Sequence, residues 1–459
     1  MISRPIRTMS VLCLVGFACL APGLGACSPG PNSAPPSHDP APPDDPAPRG
    51  QPASDTSQSH PDTTLLGLGP KHGEYGLWAR FDGDTLRINW ITRAPGQGLL
   101  EVVAEDGSRA PPGRIHSTGV AHAAALELVP GESVRLHYGA AADPEDRHET
   151  TIRRPRADER PPVGVQGLDS LYVIGDIHGE YDNMVKVLRN AGLIDADLRW
   201  SGGTHHLVVL GDMMSRGAHS TAVLWFLYRL EQEAAAAGGR VHIVLGNHEF
   251  LVILDDLRYV QSKESRIAEL HGTPYHRMYD PRHSVLGRWL MTKPVAIQAD
   301  DVVLAHGGLG SEYLPYTLEA LDDSLATWVA EESFYRWADD AYWEDPDLVL
   351  PVDSVGWDRR LDFFFEPESP IWHRDYAQTD TAGDELDQVL ERFEARIHVI
   401  AHTPIERMHQ QYGGRVILTN TFPFAAEVLL LTRDPEGQDG WARHRIGFEG
   451  PPEPLETFF

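Results

Sequence analysis

Apolar positions follow two rhythms along this chain, and the change between them marks its organisation. From about 66 to 156 the rhythm is that of short strands. In Thr85-Leu-Arg-Ile-Asn-Trp-Ile-Thr92 apolar and polar residues alternate, which puts Leu86, Ile88 and Trp90 on one face. Residues 99–104, 123–129 and 134–138 predict further strands, separated by Gly- and Pro-containing turns at the spacing of a small β-sandwich. After the proline-rich joint at Pro161-Pro162, the pattern changes to continuous apolar runs that each end in polar residues. Leu171-Tyr-Val-Ile-Gly-Asp176, Leu207-Val-Val-Leu-Gly-Asp212, Val241-His-Ile-Val-Leu-Gly-Asn247, Val302-Val-Leu-Ala-His306 and Ile397-His-Val-Ile-Ala-His402 predict five buried strands. Between them, Tyr181, Met184, Val187, Leu188 and Ala191 recur at helical spacing, as do Val223, Leu224, Leu227 and Leu230. Residues 163–459 therefore predict an α/β fold whose site lies at the strand ends, preceded by a small all-β domain at 66–156.

Ahead of both regions, Arg4 and Arg7 precede an apolar run at 11–20 and the small-residue segment Ala21-Pro-Gly-Leu-Gly-Ala-Cys27. A basic start, a short apolar centre and a small-residue end describe a secretory signal over 1–27. The run is shorter than the roughly 20 residues of a membrane span. Leu24-Gly25-Ala26-Cys27 resembles a bacterial lipoprotein box, which implies a lipid anchor at Cys27. Ser28 after it implies the outer membrane, with the protein facing the periplasm. Residues 28–65 hold eleven prolines and scarcely an aliphatic side chain. Such a segment cannot bury enough apolar surface to offset its ordering entropy and reads as a disordered tether.

A formal charge of −28 argues against non-specific nucleic-acid binding, which needs a basic surface to displace counterions. Any phosphate-bearing ligand would then have to be drawn in locally, by metal ions or a few arginines. The three cysteines, Cys13, Cys19 and Cys27, all precede the folded regions, which excludes a cysteine-nucleophile phosphatase.

The strand ends carry Asp176, His178, Asp212, Asn247, His248, His306 and His402. One Gly-Asp or Ala-His is ordinarily a turn or a satisfied core histidine, but five in order, each after an apolar strand, form a pattern. Carboxylate, imidazole and amide oxygen suit two divalent ions such as Mn, Fe or Zn. A pair about 3.5–4 Å apart can share a carboxylate and lower the pKa of a bridging water to roughly 7. Direct attack by such a hydroxide needs no phosphoenzyme.

Gly175-Asp-Ile-His-Gly179, Gly211-Asp-Met-Met-Ser-Arg-Gly217, Gly246-Asn-His-Glu249, His306-Gly-Gly308 and His402-Thr-Pro404 resemble the calcineurin-like metallophosphoesterases of the phosphoprotein phosphatase type. Asn247-His-Glu-Phe-Leu-Val-Ile-Leu-Asp-Asp-Leu-Arg-Tyr259 and Ser369-Pro-Ile-Trp-His-Arg-Asp-Tyr376 resemble segments of the Shewanella-like protein phosphatases. The resemblance covers about 170–430 and implies an α+β sandwich, with a fibronectin-like domain before it. It implies that Asp176 and His178 hold the first metal, that Asp212 bridges, and that Asn247, His306 and His402 complete the second. It makes His248 the general acid, with Arg216 and Arg374 binding the phosphate. The activity implied is hydrolysis of phosphate monoesters, on phosphoproteins or small esters. A phosphodiesterase or dinucleotide polyphosphate hydrolase and a non-catalytic, metal-containing binding lipoprotein are the alternatives.

Two departures stand out. Ser215 occupies the place of an aspartate that orients the family's acid histidine, which implies either that His248 has a lower pKa and is a poorer acid or that another carboxylate, such as Asp255 or Asp256, stands in. Leu245 replaces an arginine of many eukaryotic members. The aromatic and acidic stretch 310–370 reads either as a helical cap or as a packing layer, and His205, His206, His242 and His398 as histidines without a metal role.

Overall fold

A computed structural model describes residues 76–104, 107–110, 113–156, 159–331, 334, 363–436 and 440–458. The signal segment, Cys27, the proline-rich stretch and the centre of the 310–370 stretch lie outside the described residues.

Eight strands build the first region: β1 (Trp78–Asp82), β2 (Thr85–Ile91), β3 (Gly98–Ala104), β4 (Arg109–Ala110), β5 (His116–Thr118), β6 (Ala121–Glu127), β7 (Ser133–Ala140) and β8 (Arg147–Arg153). They form two four-stranded sheets, ordered β1-β2-β6-β5 and β4-β3-β7-β8. Leu86, Ile88 and Trp90 are fully buried, and Trp90 Nε1–H donates to Gly139 O at 3.0 Å, so the indole is satisfied inside an apolar core. The strand expected at 123–129 runs instead from Ala121 to Glu127. Its register pairs Glu127 with Thr85, where β2 begins, and beyond it Leu128 N–H donates to Asp84 O at 2.9 Å in the turn between β1 and β2.

The second region places its strands in two sheets. One has the order β12-β11-β10-β18-β19-β20: β10 (Ser170–Ile174), β11 (His206–Val209) and β12 (Arg240–Ile243) are parallel, and β18 (Val428–Arg433), β19 (Trp441–Ile446) and β20 (Glu453–Pro454) continue it antiparallel. The other has the order β21-β16-β17-β15-β14-β13-β9. Its centre is the parallel trio β14 (Val302–Ala305), β15 (Ile397–Ile400) and β17 (Val416–Leu418). Around it stand β9 (Gly164–Val165), β13 (Ala296–Ala299), β16 (His409–Gln411) and β21 (Glu456–Thr457). Leu171 and Val173 of β10, Val208 of β11, Val302 and Leu304 of β14 and Val399 of β15 make one apolar layer. Tyr172, Ile174, Leu207 and Val209 belong to a second, which includes the helices. Burial on both faces is why these strands read as unbroken apolar runs.

Helix α1 (Tyr181–Asn190) buries Tyr181, Met184, Val187 and Leu188 as their spacing predicts. Helix α2 (Ser220–Ala236) buries eleven of its residues, because it is covered by the β domain as well as by its own sheet. Trp225 Nε1–H donates to Leu77 O at 3.0 Å, and Arg153 N–H donates to Tyr228 Oη at 3.0 Å. The edge strand β1 is closed by Phe81 N–H donating to His283 O at 2.8 Å, which removes an open sheet edge.

Helices α3 (Asn247–Ile253), α4 (Ser262–Leu270), α5 (Val285–Leu290) and α6 (Leu318–Val329) complete the described layer up to residue 331. On α6, Trp328 stacks on Phe364 at 5.5 Å, and Phe364 in turn stacks on Phe250 of α3. The described part of the aromatic stretch is thus a packing layer that braces α3.

Glu264 of α4 is fully buried and accepts Thr221 Oγ1–H at 2.6 Å. Burial pushes its carboxyl from 4.5 up to about 7 despite that hydrogen bond. A raised folded pKa means stability that is complete below about 4.5 and is lost as pH rises through about 7. Glu264→Gln should flatten that slope, which is at most about 1.4 kcal/mol per pH unit. Urea unfolding of both chains at pH 5 and pH 7.5 checks this; equal losses in the two chains would contradict it.

Candidate metal centre and active site

The motifs at the strands' C-terminal ends come together around Asp212, several of them through backbone that ordinary side chains avoid. His178, Asp212, Ser215, Arg216 and His402 all have positive φ (46°, 47°, 69°, 61° and 62°), a concentration of strain typical of functional sites. Gly211 and Gly246 are required by close approach. A Cβ on Gly211 would lie 2.3 Å from Gly246 N, and one on Gly246 would lie 2.2 Å from Asp212 Oδ1.

Asp212 is the centre of the arrangement. Its Oδ2 lies 3.3 Å from His306 Nε2, 3.6 Å from His178 Nε2 and 3.8 Å from His248 Nε2. Its Oδ1 accepts the His248 backbone N–H at 2.9 Å. Burial alone would raise this carboxyl, but the imidazoles of His306 and His248 outweigh burial and hold it well below the usual range. Asp176 sits beside it: Oδ2 is 3.5 Å from His178 Nε2, and Oδ1 accepts the His402 N–H at 3.1 Å.

The histidine tautomers follow from their partners. His178 Nδ1 lies 2.9 Å from Met214 O and His306 Nδ1 lies 2.6 Å from Leu210 O. A carbonyl only accepts, so each Nδ1 carries the proton and each Nε2 turns a lone pair towards Asp212. That leaves Asn247 Oδ1, 3.1 Å from His306 Nε2, as a third acceptor facing other acceptors. A cation between them would resolve such a contact. Burial would lower His306, yet Asp212 and Asp176 push it up to about 9, the mark of a place built for positive charge. His402 is buried with Nε2 lacking any hydrogen-bond partner, and burial keeps it neutral, the form that ligates. Asp176, His178, Asp212, Asn247, His306 and His402 therefore fit a pair of divalent ions by donor type, protonation and spacing.

His248 adjoins this set. It is buried, its ring is 4.7 Å from that of His178 and 5.1 Å from that of Tyr259, and its pKa is driven well below 6.5, first by burial. No hydrogen bond reaches its Nδ1. The expected stand-ins for the missing carboxylate lie elsewhere: Asp255 Oδ1 is 2.7 Å from His276 Nδ1, and Asp256 pairs with Arg258 at 2.6 Å. The turn after α3 gives both acids other partners, and of the two alternatives the lowered pKa of His248 is the one that agrees with its surroundings. Arg216 lies over the Tyr259 ring at 5.0 Å, and Arg374 Nη1 donates to Thr403 Oγ1, next to His402, at 3.4 Å. The other histidines are engaged away from the site: His206 Nδ1 lies 3.1 Å from His242 Nε2, His205 Nδ1 lies 2.8 Å from Ser170 Oγ, and His398 Nε2 accepts Leu309 N–H at 3.0 Å.

Three supporting residues escape sequence reading. Glu249 is fully buried and its carboxylate accepts the backbone N–H groups of Asp212, Met213, Met214 and Gly246, binding two ligand-bearing loops together. Asn420 Nδ2–H donates to Asp176 Oδ2 at 2.6 Å. It follows β17, and Val416-Ile-Leu-Thr-Asn420 repeats the apolar-run-then-polar signal of the other strands. Phe424 packs edge-on to His178 at 4.4 Å, and Phe422 beyond it is 59% exposed, an aromatic rim that nothing in the local sequence marks.

Two sandwiched sheets with Asp, His and Asn side chains gathered at their strand ends form an architecture that could hold metal ions for phosphoester hydrolysis. The chain belongs to the calcineurin-like phosphoesterase family, which it matches over residues 170–406, just over half its length. It is 28% identical over 228 residues to Shewanella-like protein phosphatase 2 of Arabidopsis thaliana, covering 41% of this chain and 56% of that protein. It is 27% identical over 186 residues to the symmetrical bis(5'-nucleosyl)-tetraphosphatase of Cronobacter sakazakii, covering 40% and 58%. The chain thus spans less than two thirds of the length of either relative. Among solved structures, a cold-active protein-tyrosine phosphatase of a psychrophilic Shewanella superposes with a TM-score of 0.56 at 28% identity, covering 70% of this chain and 96% of that one.

Proposed function

We propose that this protein is a metal-dependent phosphatase that hydrolyses phosphate monoesters, with phosphoproteins or small esters as substrates. The observation that carries the reading is the convergence of three imidazole Nε2 atoms within 3.3–3.8 Å of Asp212 Oδ2. In this reading Asp176 and His178 would hold one ion and Asn247, His306 and His402 the other, with Asp212 as a ligand common to both sets. Bound there, divalent ions supply a water of lowered pKa and neutralise phosphate oxygens. His248 Nε2 then gives a proton to the leaving alkoxide oxygen, and Arg216 and Arg374 grip the phosphoryl oxygens through planar N–H forks. Glu249 and Asn420 keep the ligands from swinging, as outer partners of metal ligands do.

A dinucleotide polyphosphate hydrolase is the second reading, favoured by the likeness to the Cronobacter sakazakii enzyme. Purified protein stripped of metal, then given Mn²⁺, Fe²⁺ or Zn²⁺, should hydrolyse p-nitrophenyl phosphate faster than bis-p-nitrophenyl phosphate or diadenosine tetraphosphate. Preference for the dinucleotide would support the second reading. Metal binding without turnover of any of the three would support a binding protein.

The same proposal places the protein in the cell envelope, held by lipid at Cys27 to the periplasmic face of the outer membrane. Its support is the signal segment, Leu24-Gly25-Ala26-Cys27 and Ser28. The Cys27→Ala chain should leave the membrane fraction; if it stays there, the anchor is elsewhere.

A further inference from the structure

Away from the Asp212 cluster, the described residues contain one more group able to hold a cation. His373 is 1% exposed, and neither of its ring nitrogens has a hydrogen-bond partner. An imidazole buried in that state is costly unless something else engages it. Its Nε2 lies 3.7 Å from Glu368 Oε2 and 3.6 Å from Glu385 Oε2, and the three ligand atoms are all within 4.8 Å of one another.

Those separations discriminate. A charge-assisted imidazole–carboxylate hydrogen bond closes to about 2.7–2.9 Å. Two ligands at about 2.0–2.2 Å from one tetrahedral ion stand about 3.4 Å apart. The observed spacing falls on the side of the shared ion. The opening is also suitable, because the Glu368 and Glu385 side chains are 43% and 22% exposed while the imidazole is sealed. Glu385 is held in position, since its Oε1 accepts the Ser311 N–H at 2.6 Å. Outer hydrogen bonds of that kind orient metal-ligating carboxylates.

The location gives the group a consequence. Gly307 N–H, next to His306, donates to Pro370 O at 2.7 Å. A Cβ on Gly307 would lie 2.7 Å from His373 N, and one on Gly310 would lie 3.3 Å from Glu368 Oε2. The next residue, Arg374, reaches Thr403 beside His402. We propose that Glu368, His373 and Glu385 form a third divalent-cation site, separate from the pair around Asp212, which fastens the Arg374 segment to the loop that carries His306. One imidazole and two carboxylates suit a first-row divalent ion, and Zn²⁺ serves as the probe. The three side chains are positioning residues: none reaches the Asp212 cluster, and they act through Arg374 and the His306 loop.

The full chain, stripped and re-equilibrated with Zn²⁺, is assayed for zinc per polypeptide by mass spectrometry beside Glu368→Gln and Glu385→Gln. Both amides keep the carboxylate shape, and circular dichroism confirms that the variants are folded. Each variant is expected to hold one equivalent less than its parent. The same difference should persist when Asp212→Asn is present in both members of the comparison, so failure of the catalytic-pair reading leaves the third site separately testable. Equal zinc counts in the parent and both folded variants would overturn the proposal, and the cluster would then be a hydrated ion-pair network.

Discussion

Replacing Asp212 by asparagine is expected to lower kcat/KM for p-nitrophenyl phosphate by at least about 10³-fold, while the chain stays folded. The reasoning is local. Oδ2 of Asp212 lies within 3.8 Å of His178, His248 and His306 Nε2, between the residues proposed for the two ions, so it is the atom expected to serve both. Asparagine keeps the volume and can keep the contact with the His248 N–H, but it removes the negative charge that compensates the ions. The backbone around residue 212 is held separately, by the Glu249 carboxylate accepting Asp212 N–H at 3.0 Å and Met213 N–H at 2.8 Å, which protects the fold. Losing about 4 kcal/mol of stabilisation corresponds to about a thousandfold in rate, since each 1.36 kcal/mol is tenfold. Metal retained after dialysis should fall in parallel. A variant that keeps both ions and stays within tenfold of the parent would remove Asp212 as the shared ligand.

The second large effect concerns the proton. His248→Ala should reduce kcat by about 10²–10⁴-fold for an alkyl phosphate, the usual worth of a positioned general acid. It should cost much less for p-nitrophenyl phosphate, whose leaving group needs no proton. Equal losses on the two substrates would mean that the imidazole binds rather than protonates. The environment of His248 sharpens this expectation. Its pKa is lowered well below 6.5, by burial first and then by neighbours that include His178 and Arg216, against the raising influence of Asp212. The imidazolium that donates is therefore scarce at neutral pH, and its share falls as pH rises. Ser215→Asp, which restores a carboxylate at the place where the family carries one, should move the falling limb of the alkyl phosphate pH profile to higher pH. An unmoved limb would show that residue 215 does not reach His248.

Both predictions start from residues that sequence alone singles out, and the reason is the fold's economy. Strands buried on both faces are largely apolar, so a polar residue directly after one is conspicuous. Leu207-Val-Val-Leu-Gly-Asp212 and Val302-Val-Leu-Ala-His306 announce themselves this way. Helix α1 is legible for a similar reason, as its buried residues recur every three or four positions. Short pairings such as β4 and β5, two and three residues long, carry too little pattern to be read.

Tertiary structure alone decides which runs share a sheet. The motifs of β10, β11 and β12 look like those of β14 and β15, yet the first three lie in one sheet and the last two in the other. Local apolar pattern reports burial, and burial is the same in both. It also cannot report partners distant in the chain. Asn420 meets Asp176 across 244 residues, Asp255 turns to His276 rather than to His248, and Glu368, His373 and Glu385 come together only because the segment after Phe363 threads behind the His306 loop. Sequence determined the inventory of metal-capable side chains and their place at strand ends, because short-range burial sets both. Which atoms face one another, and with what charge and protonation, was left to the packing of the sheets, since those distances are set by backbone that is remote in sequence and adjacent in space.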